Sequence, residues 1–203
     1  MIHGDRLRPA PTLCLLLVAA LAASGCTGAL VGAGAAAGYA VAQERSIGNA
    51  VDDTSIKFRI NERLLSHDEQ LWTKANLDVV EGRVLITGVV PAVADRDKVT
   101  DLVWEVRGVG EVLNELQVAP AGDAESFVRD ASITAQLRFR VLTDRDIMAI
   151  NFTITTVNGI VYLLGIARSD AEHRKLVDHA RNVRGVAKVV SHVLVKDDPR
   201  RKA

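Results

Sequence analysis

Apolar positions after residue 50 fall into two periods, and both periods occur twice. Ile56, Ile60 and Leu64 recur at i, i+4 and i+8, as do Ile133, Leu137 and Val141, which is the spacing of one buried helix face. Asp52 or Asp53 stands where the first helix needs an N-cap, and Asp130 does the same for the second. The period then shortens to two. Residues 76–80 and 84–88 flank Glu81-Gly82, and residues 152–157 and 161–165 flank Asn158-Gly159; Asn-Gly between β-rich runs is a strong hairpin signal. Helical spacing returns over 92–106 and 169–183 and stops at Arg107-Gly108-Val109 and Arg184-Gly185-Val186, where a glycine in the left-handed region can close a helix. Alternating runs 112–118 and 189–195 complete each copy. The pattern predicts an α+β fold, ordered α-β-β-α-β in each copy, with two helices on one face of a three-stranded sheet.

The copies stand in one register. Ile56 and Ile133, Gly82 and Gly159, and Gly108 and Gly185 are all 77 residues apart, so no insertion interrupts the repeat and both copies are expected to share one fold. Two copies are too few for a solenoid, and each is expected to bury a core of its own. A unit of about 70 residues is near the size at which a lone core is marginal, so contact between the copies would help. The expected domains are residues 51–119 and 127–196, with a basic tail at 197–203.

Residues 1–25 read as a targeting segment outside the fold. Arg6 and Arg8 precede an apolar run at 13–23, and Ala23-Ser24-Gly25-Cys26 follows. This resembles the signal peptide and lipobox of a bacterial lipoprotein, with Ala23 where Leu is usual. It implies cleavage before Cys26 and acylation of that cysteine. Cys14 would leave with the signal, and a lone Cys26 cannot form an internal disulfide. A competing reading is an uncleaved span, because residues 12–42 carry no charge and about 20 residues suffice to cross a bilayer. Residues 26–50, rich in Gly and Ala, read as a linker behind the anchor. Thr27 is not the Asp that usually holds lipoproteins in the inner membrane, so the resemblance points to the outer membrane, facing the periplasm.

The first helix with Ile56 and Leu64, the Glu81-Gly82-Arg83-Val84 hairpin, and the ending Arg107-Gly108-Val109-Gly110-Glu111-Val112, echoed at residues 184–189, resemble the BON domain. With the lipobox and the Gly/Ala stretch, nearly the whole chain resembles a tandem-BON outer-membrane lipoprotein. That resemblance implies a non-enzymatic protein of envelope integrity, with anionic phospholipid bound through the second BON domain. The alternative is an adaptor. The first domain would dock an envelope assembly factor, such as the outer-membrane assembly machinery, through Phe58, Trp104 and exposed sheet edges.

Charge separates the copies although the chain as a whole is neutral, with 25 basic and 25 acidic residues. Residues 49–126 hold 8 Lys/Arg and 15 Asp/Glu, a net −7, and residues 127–203 hold 14 and 8, a net +6. At about 100° per residue, Phe139 falls opposite the Ile133/Leu137/Val141 face, beside Ser132 and Gln136. Arg138 and Arg140 flank it, and Arg145 lies near the helix end. An exposed aromatic among cations is what a lipid surface recognises, so Arg138, Phe139, Arg140, Arg145, Ser132 and Gln136 are the candidate phospholipid contacts; the competing reading buries Phe139 against the first copy or the linker. His173, Arg174, Lys175, Arg181, Arg184, Lys188 and the tail add diffuse positive charge. Such charge could also hold nucleic acid, but an exported protein would not meet any. The histidines have no metal-ligand spacing with cysteine, and His173, Asp178 and His179 are expected on a solvated helix face. No Gly-rich phosphate loop or catalytic set is present, so neither cofactor nor metal is expected.

Overall fold

Two mixed sheets, stacked face to face, organise the chain. The structure is a computed structural model and describes residues 47–120 and 124–202. The targeting segment, Cys26 and most of the expected linker lie outside the described residues. The first copy runs α1 (Ile47–His67), α2 (Glu69–Lys74), β1 (Ala75–Val80), β2 (Arg83–Val90), α3 (Val93–Trp104) and β3 (Glu111–Val118). The second runs α4 (Ala124–Thr143), a 3-10 turn (Ala149–Asn151), β4 (Phe152–Val157), β5 (Ile160–Ala167), α5 (Asp170–Arg181) and β6 (Lys188–Val195). A second 3-10 turn, Pro199–Lys202, ends the described chain. In each sheet the hairpin is antiparallel and the last strand adds in parallel to the middle one, giving β1-β2-β3 and β4-β5-β6.

The expected order holds, with one addition. α2 has no counterpart helix; the positions 77 residues later form the 3-10 turn. Asp68 makes the difference, because its side chain caps α2 by accepting from Gln70 and Leu71 N–H. The helix α1 also begins at Ile47, so residues 47–50 are helical and not linker.

That early start changes the role of the aspartates. Asp53 lies within α1, buried, and its carboxylate accepts from the N–H groups of Glu81 and Gly82, both at 2.9 Å. Asp130, within α4, accepts from Asn158 at 2.6 Å and Gly159 at 2.8 Å. Each carboxylate therefore holds the hairpin turn 28 residues downstream and does not cap its own helix. The turns need that help: Glu81 and Asn158 sit at φ of 52° and 51°, a region costly for residues with a Cβ. Asp53→Ala should lower stability by about 3 kcal/mol, the scale of two hydrogen bonds to a charged acceptor. Asp130→Ala should cost less, because Asp130 is half-exposed. Urea unfolding of the two variants measures both.

Alternation along the central strands sends side chains to two different cores. From β2, Val84, Ile86 and Val90 pack under α1 and α3, while Leu85 and Val89 face the other way. From β5, Val161, Leu163 and Ala167 pack under α4 and α5, while Tyr162, Leu164 and Ile166 face the other way. These second faces meet, with Val80 and Val157 beside them, in a third core shared by the two copies. Neither sheet has a solvated face. Polar contacts frame the seam: Asn158 Nδ2 donates to Gln117 Oε1 at 2.8 Å, Arg83 to the His192 carbonyl at 2.9 Å, and Arg201 to both oxygens of Glu81 at 2.8 and 2.9 Å. Two contacts join equivalent positions, Thr155 to Asp78 at 3.2 Å and His192 to Glu115 at 2.9 Å, each 77 residues apart. Contact between equivalents is what a two-fold axis requires, so the duplicated units pair as a homodimer would.

Two glycines lie in the strands and not at turns. A Cβ on Gly88 would stand 2.0 Å from the Lys74 carbonyl oxygen, and one on Gly165 2.1 Å from that of Asn151. The chain entering each sheet crosses close over the middle strand there.

Candidate functional site

The helix α4 carries the predicted contacts on its outer side. Ile133, Leu137 and Val141 are buried, so the opposite face is left to solvent, and Phe139 is 68% exposed there. Phe139 packs in neither copy. Val128, Ala131, Ala135 and Leu142 are exposed as well, at 66% for Val128 and 73% for Leu142. Advancing 100° per residue, these five positions form one stripe along nearly the whole 20-residue helix. Sequence reasoning found Phe139 and missed Val128 and Leu142; the signal was available, since Leu142 lies one turn beyond Phe139.

The predicted polar contacts are arranged differently from the expected cluster. Arg138 and Arg140 lie on the two flanks of the stripe. A guanidinium nitrogen of Arg138 donates to the Ile154 carbonyl at 2.9 Å, and one of Arg140 to the Asn182 carbonyl at 2.9 Å. Tethered in this way, each arginine is held on the helix flank with donors to spare. Ser132 and Gln136 are exposed beside the stripe and bond each other at 3.2 Å. Arg145 is exposed beyond the helix end.

The end of α4 is fastened by a charged network. Asp144 accepts from Lys175 at 2.8 Å and bonds the His179 ring at 2.8 Å, while Lys175 also reaches Asp146 at 2.7 Å. The hydrogen bond from His179, then that from Lys175, holds the Asp144 carboxyl well below the usual carboxylate range, and the two aspartates raise Lys175. Nearby, buried Glu172 accepts from the N–H groups of Met148 and Arg168, both at 2.6 Å. His173 bonds Ser191 Oγ at 2.8 Å, and burial pushes its ring pKa down. The expectation of a solvated histidine face is thus corrected. The partners come from other elements, which spacing along one helix does not show.

Acid should loosen this end of α4. A carboxyl with a depressed folded pKa contributes stability that is present above its unfolded value, about 3.9, and is lost as pH falls towards the folded value. Asp144→Asn should therefore lower Tm at pH 7 and flatten the decline in Tm below about pH 4. Calorimetry across that range measures both effects. Equal acid slopes in the two proteins would remove Asp144 from the account.

The tail is less free than its composition suggests. Arg201 is committed to Glu81, and Arg200 pairs with Asp198 at 2.7 Å, holding that carboxyl down at about 2. Arg174, Arg184 and Lys188 are exposed. Among the described residues no group of three or more His, Cys, Asp or Glu could hold a metal, and no helix is long and apolar enough to cross a membrane.

The BON domain family model matches this sequence twice, at residues 52–120 and 129–197. The outer membrane lipoprotein DolP of Haemophilus influenzae is 33% identical over 91% of this chain and 95% of its own length. An uncharacterized protein from the gshII 5' region of Anaplasma centrale is 35% identical over 72% of this chain and 96% of its own. The 21 kDa hemolysin of Actinobacillus pleuropneumoniae is 32% identical over 72% and 75%.

Proposed function

Because the chain belongs to the BON-domain family, in tandem, we propose that it is a non-enzymatic envelope protein of the outer membrane. It is anchored there by acylated Cys26, faces the periplasm, and binds anionic phospholipid through α4 of the second BON domain. The similarity to an outer membrane lipoprotein extends over 91% of the chain, which supports the compartment and the anchor. The observation that carries the lipid reading is the apolar stripe of α4, exposed from Val128 to Leu142 on the half of the chain with a net charge of +6. Apolar side chains on an outward helix face, with cations on the flanks and in the same half, suit the boundary between headgroups and acyl chains. Arg140 and Arg145, with donors to spare, would meet lipid phosphate. Flotation of the full chain with vesicles of neutral lipid, with and without a third of phosphatidylglycerol, tests this. Cys26→Ser removes the anchor, so that only the folded domains report. Binding that ignores the anionic lipid sinks the reading.

A second reading rests on α1. Val51, Phe58 and Leu65 are exposed at seven-residue intervals, Phe58 at 69%, and Trp104 is exposed as well. This face belongs to the acidic copy, which an anionic bilayer repels. It suits a protein partner such as an outer-membrane assembly factor, the adaptor role.

A further inference from the structure

The duplication supplies its own control for the sheet edges. β1 and β4 occupy equivalent edges and are treated differently. At β1, Lys57 of α1 pairs across to Asp78 at 3.6 Å, and Trp72 Nε1 of α2 donates to Asn61 Oδ1 of α1 at 2.9 Å. Seventy-seven residues on, these four positions are Thr134, Thr155, Ala149 and Arg138; Thr134 bonds the Thr156 hydroxyl at 2.7 Å and Arg138 donates to the Ile154 carbonyl at 2.9 Å, but no ion pair crosses. The cavity there is the larger of the two, about 820 Å³ against about 580 Å³ at β1. Its floor is β4, one wall is the flank of α4 with Ala131, Ala135 and Arg138, and the far wall is the first copy, with Lys74 and Pro91.

The floor has backbone groups to offer. Val157 and Ile160 flank the two-residue turn and face each other, so they form the mutually hydrogen-bonded pair, and alternate residues along β4 turn outward. Ile154 and Thr156 are the outward ones. The Ile154 carbonyl fits that direction, since it accepts from Arg138 on α4. Charge in the groove is uneven. Asp130 is occupied by the two turn amides, while half-buried Lys74 has no carboxylate partner among the described residues.

We infer that this groove takes an extended peptide segment of a partner protein, which adds to β4 as a further strand and brings an acidic side chain or a terminal carboxylate to Lys74. Strand addition draws its affinity from main-chain hydrogen bonds and its selectivity from alternate side chains. Here the small residues Ala131 and Ala135 leave room for one row of side chains, and Lys74 selects the charge. Crossing an edge with a charged pair, as at β1, is a known way to refuse such a strand. The site shares Ala131 and Ala135 with the edge of the outward stripe, but Val128, Phe139 and Leu142 do not line it.

The test is selection of a randomised heptapeptide library displayed on phage against the full chain. Enriched peptides should alternate and carry Asp or Glu. A synthetic representative should lose at least about tenfold in affinity against Lys74→Glu and against Ala135→Trp, which fills the groove from an exposed position, and should bind Phe139→Ala unchanged. Methylating the alternate peptide nitrogens that face β4 should abolish binding, while methylating the others should not. The inference is overturned if nothing is enriched, or if enriched peptides bind both wall variants as they bind the parent. It is also overturned if dodecyl phosphate, a single-chain lipid probe, displaces the peptide and the methylated series binds evenly, because the occupant is then an acyl chain.

Discussion

Leu164→Asp should undo the pairing of the two copies. The side chain is fully buried between the sheets, with Tyr162, Ile166 and Leu85 in the same core, and none of those can pair with a charge. An unpaired carboxylate there costs several kcal/mol, and the lost leucine contacts add about 2 to 5 more. The sum is comparable to the whole stability of an ordinary domain, about 5 to 15 kcal/mol. The polar frame of the seam cannot offset it, since each neutral hydrogen bond contributes only about 1 kcal/mol net. Tm should fall by more than about 10 °C, which for a chain of this size follows from a loss of about 5 kcal/mol. The separated faces should bind ANS. Leu142→Asp, on the outward stripe, should shift stability by no more than about 0.5 kcal/mol. A Leu164→Asp chain that melts with the parent would show the seam to be inessential.

This seam also decides how lipid binding has to be measured. A fragment of either copy alone would expose Val157, Tyr162, Leu164 and Ile166, or Val80 and Leu85, all buried in the whole chain. Such a face binds vesicles for reasons unrelated to function. Substitutions in the full chain avoid the artefact.

What could be read from the sequence was whatever lies within one copy and within a short reach of chain. The periods of two and 3.6, the Asn-Gly turn and the offset of 77 gave the element order, because backbone geometry forces those patterns locally. Gly108 and Gly185 do take positive φ, 99° and 93°, but they do not cap the helices: the caps are Glu105 and Asn182, and each glycine sits three residues on, in a turn closed by Val109 N–H on Val106 and Val186 N–H on Val183. Most of what failed was long-range. Asp53 and Asp130 look like helix caps until the structure shows turn amides 28 residues away. The histidines look solvated until Asp144 and Ser191 arrive from other elements. The stacking of the sheets did leave a trace. Residues 160–167 contain no charged residue and little alternation, the mark of a strand covered on both faces: helices cover one face, as expected, and the other copy's sheet covers the second. The ends of the α4 stripe differ for a simpler reason: with Asp130 as the expected cap and Val141 as the last periodic position, Val128 and Leu142 fall outside the expected helix, whereas α4 spans Ala124–Thr143.

That stripe yields the largest expected functional effect. Phe139→Ala with Leu142→Ala should cut the affinity of the full chain for anionic vesicles by about a hundredfold or more, because each side chain contributes about 1.5 to 3 kcal/mol when fully buried in an apolar phase and 1.4 kcal/mol is tenfold. The loss should be the same at 50 and 300 mM salt, since burial of apolar surface is not screened. Arg140→Glu with Arg145→Glu should behave oppositely, with a loss greatest at low salt and shrinking as the Debye length falls. Tm should hold in the first pair, as both residues are exposed. Phe58→Ala with Leu65→Ala, on the acidic copy, is the matched control and should leave binding unchanged. If that pair weakens binding as much as Phe139→Ala with Leu142→Ala does, the membrane meets the wrong copy for the proposed function. If neither pair matters, α1 and α4 both present their apolar faces to proteins, and the adaptor reading takes over.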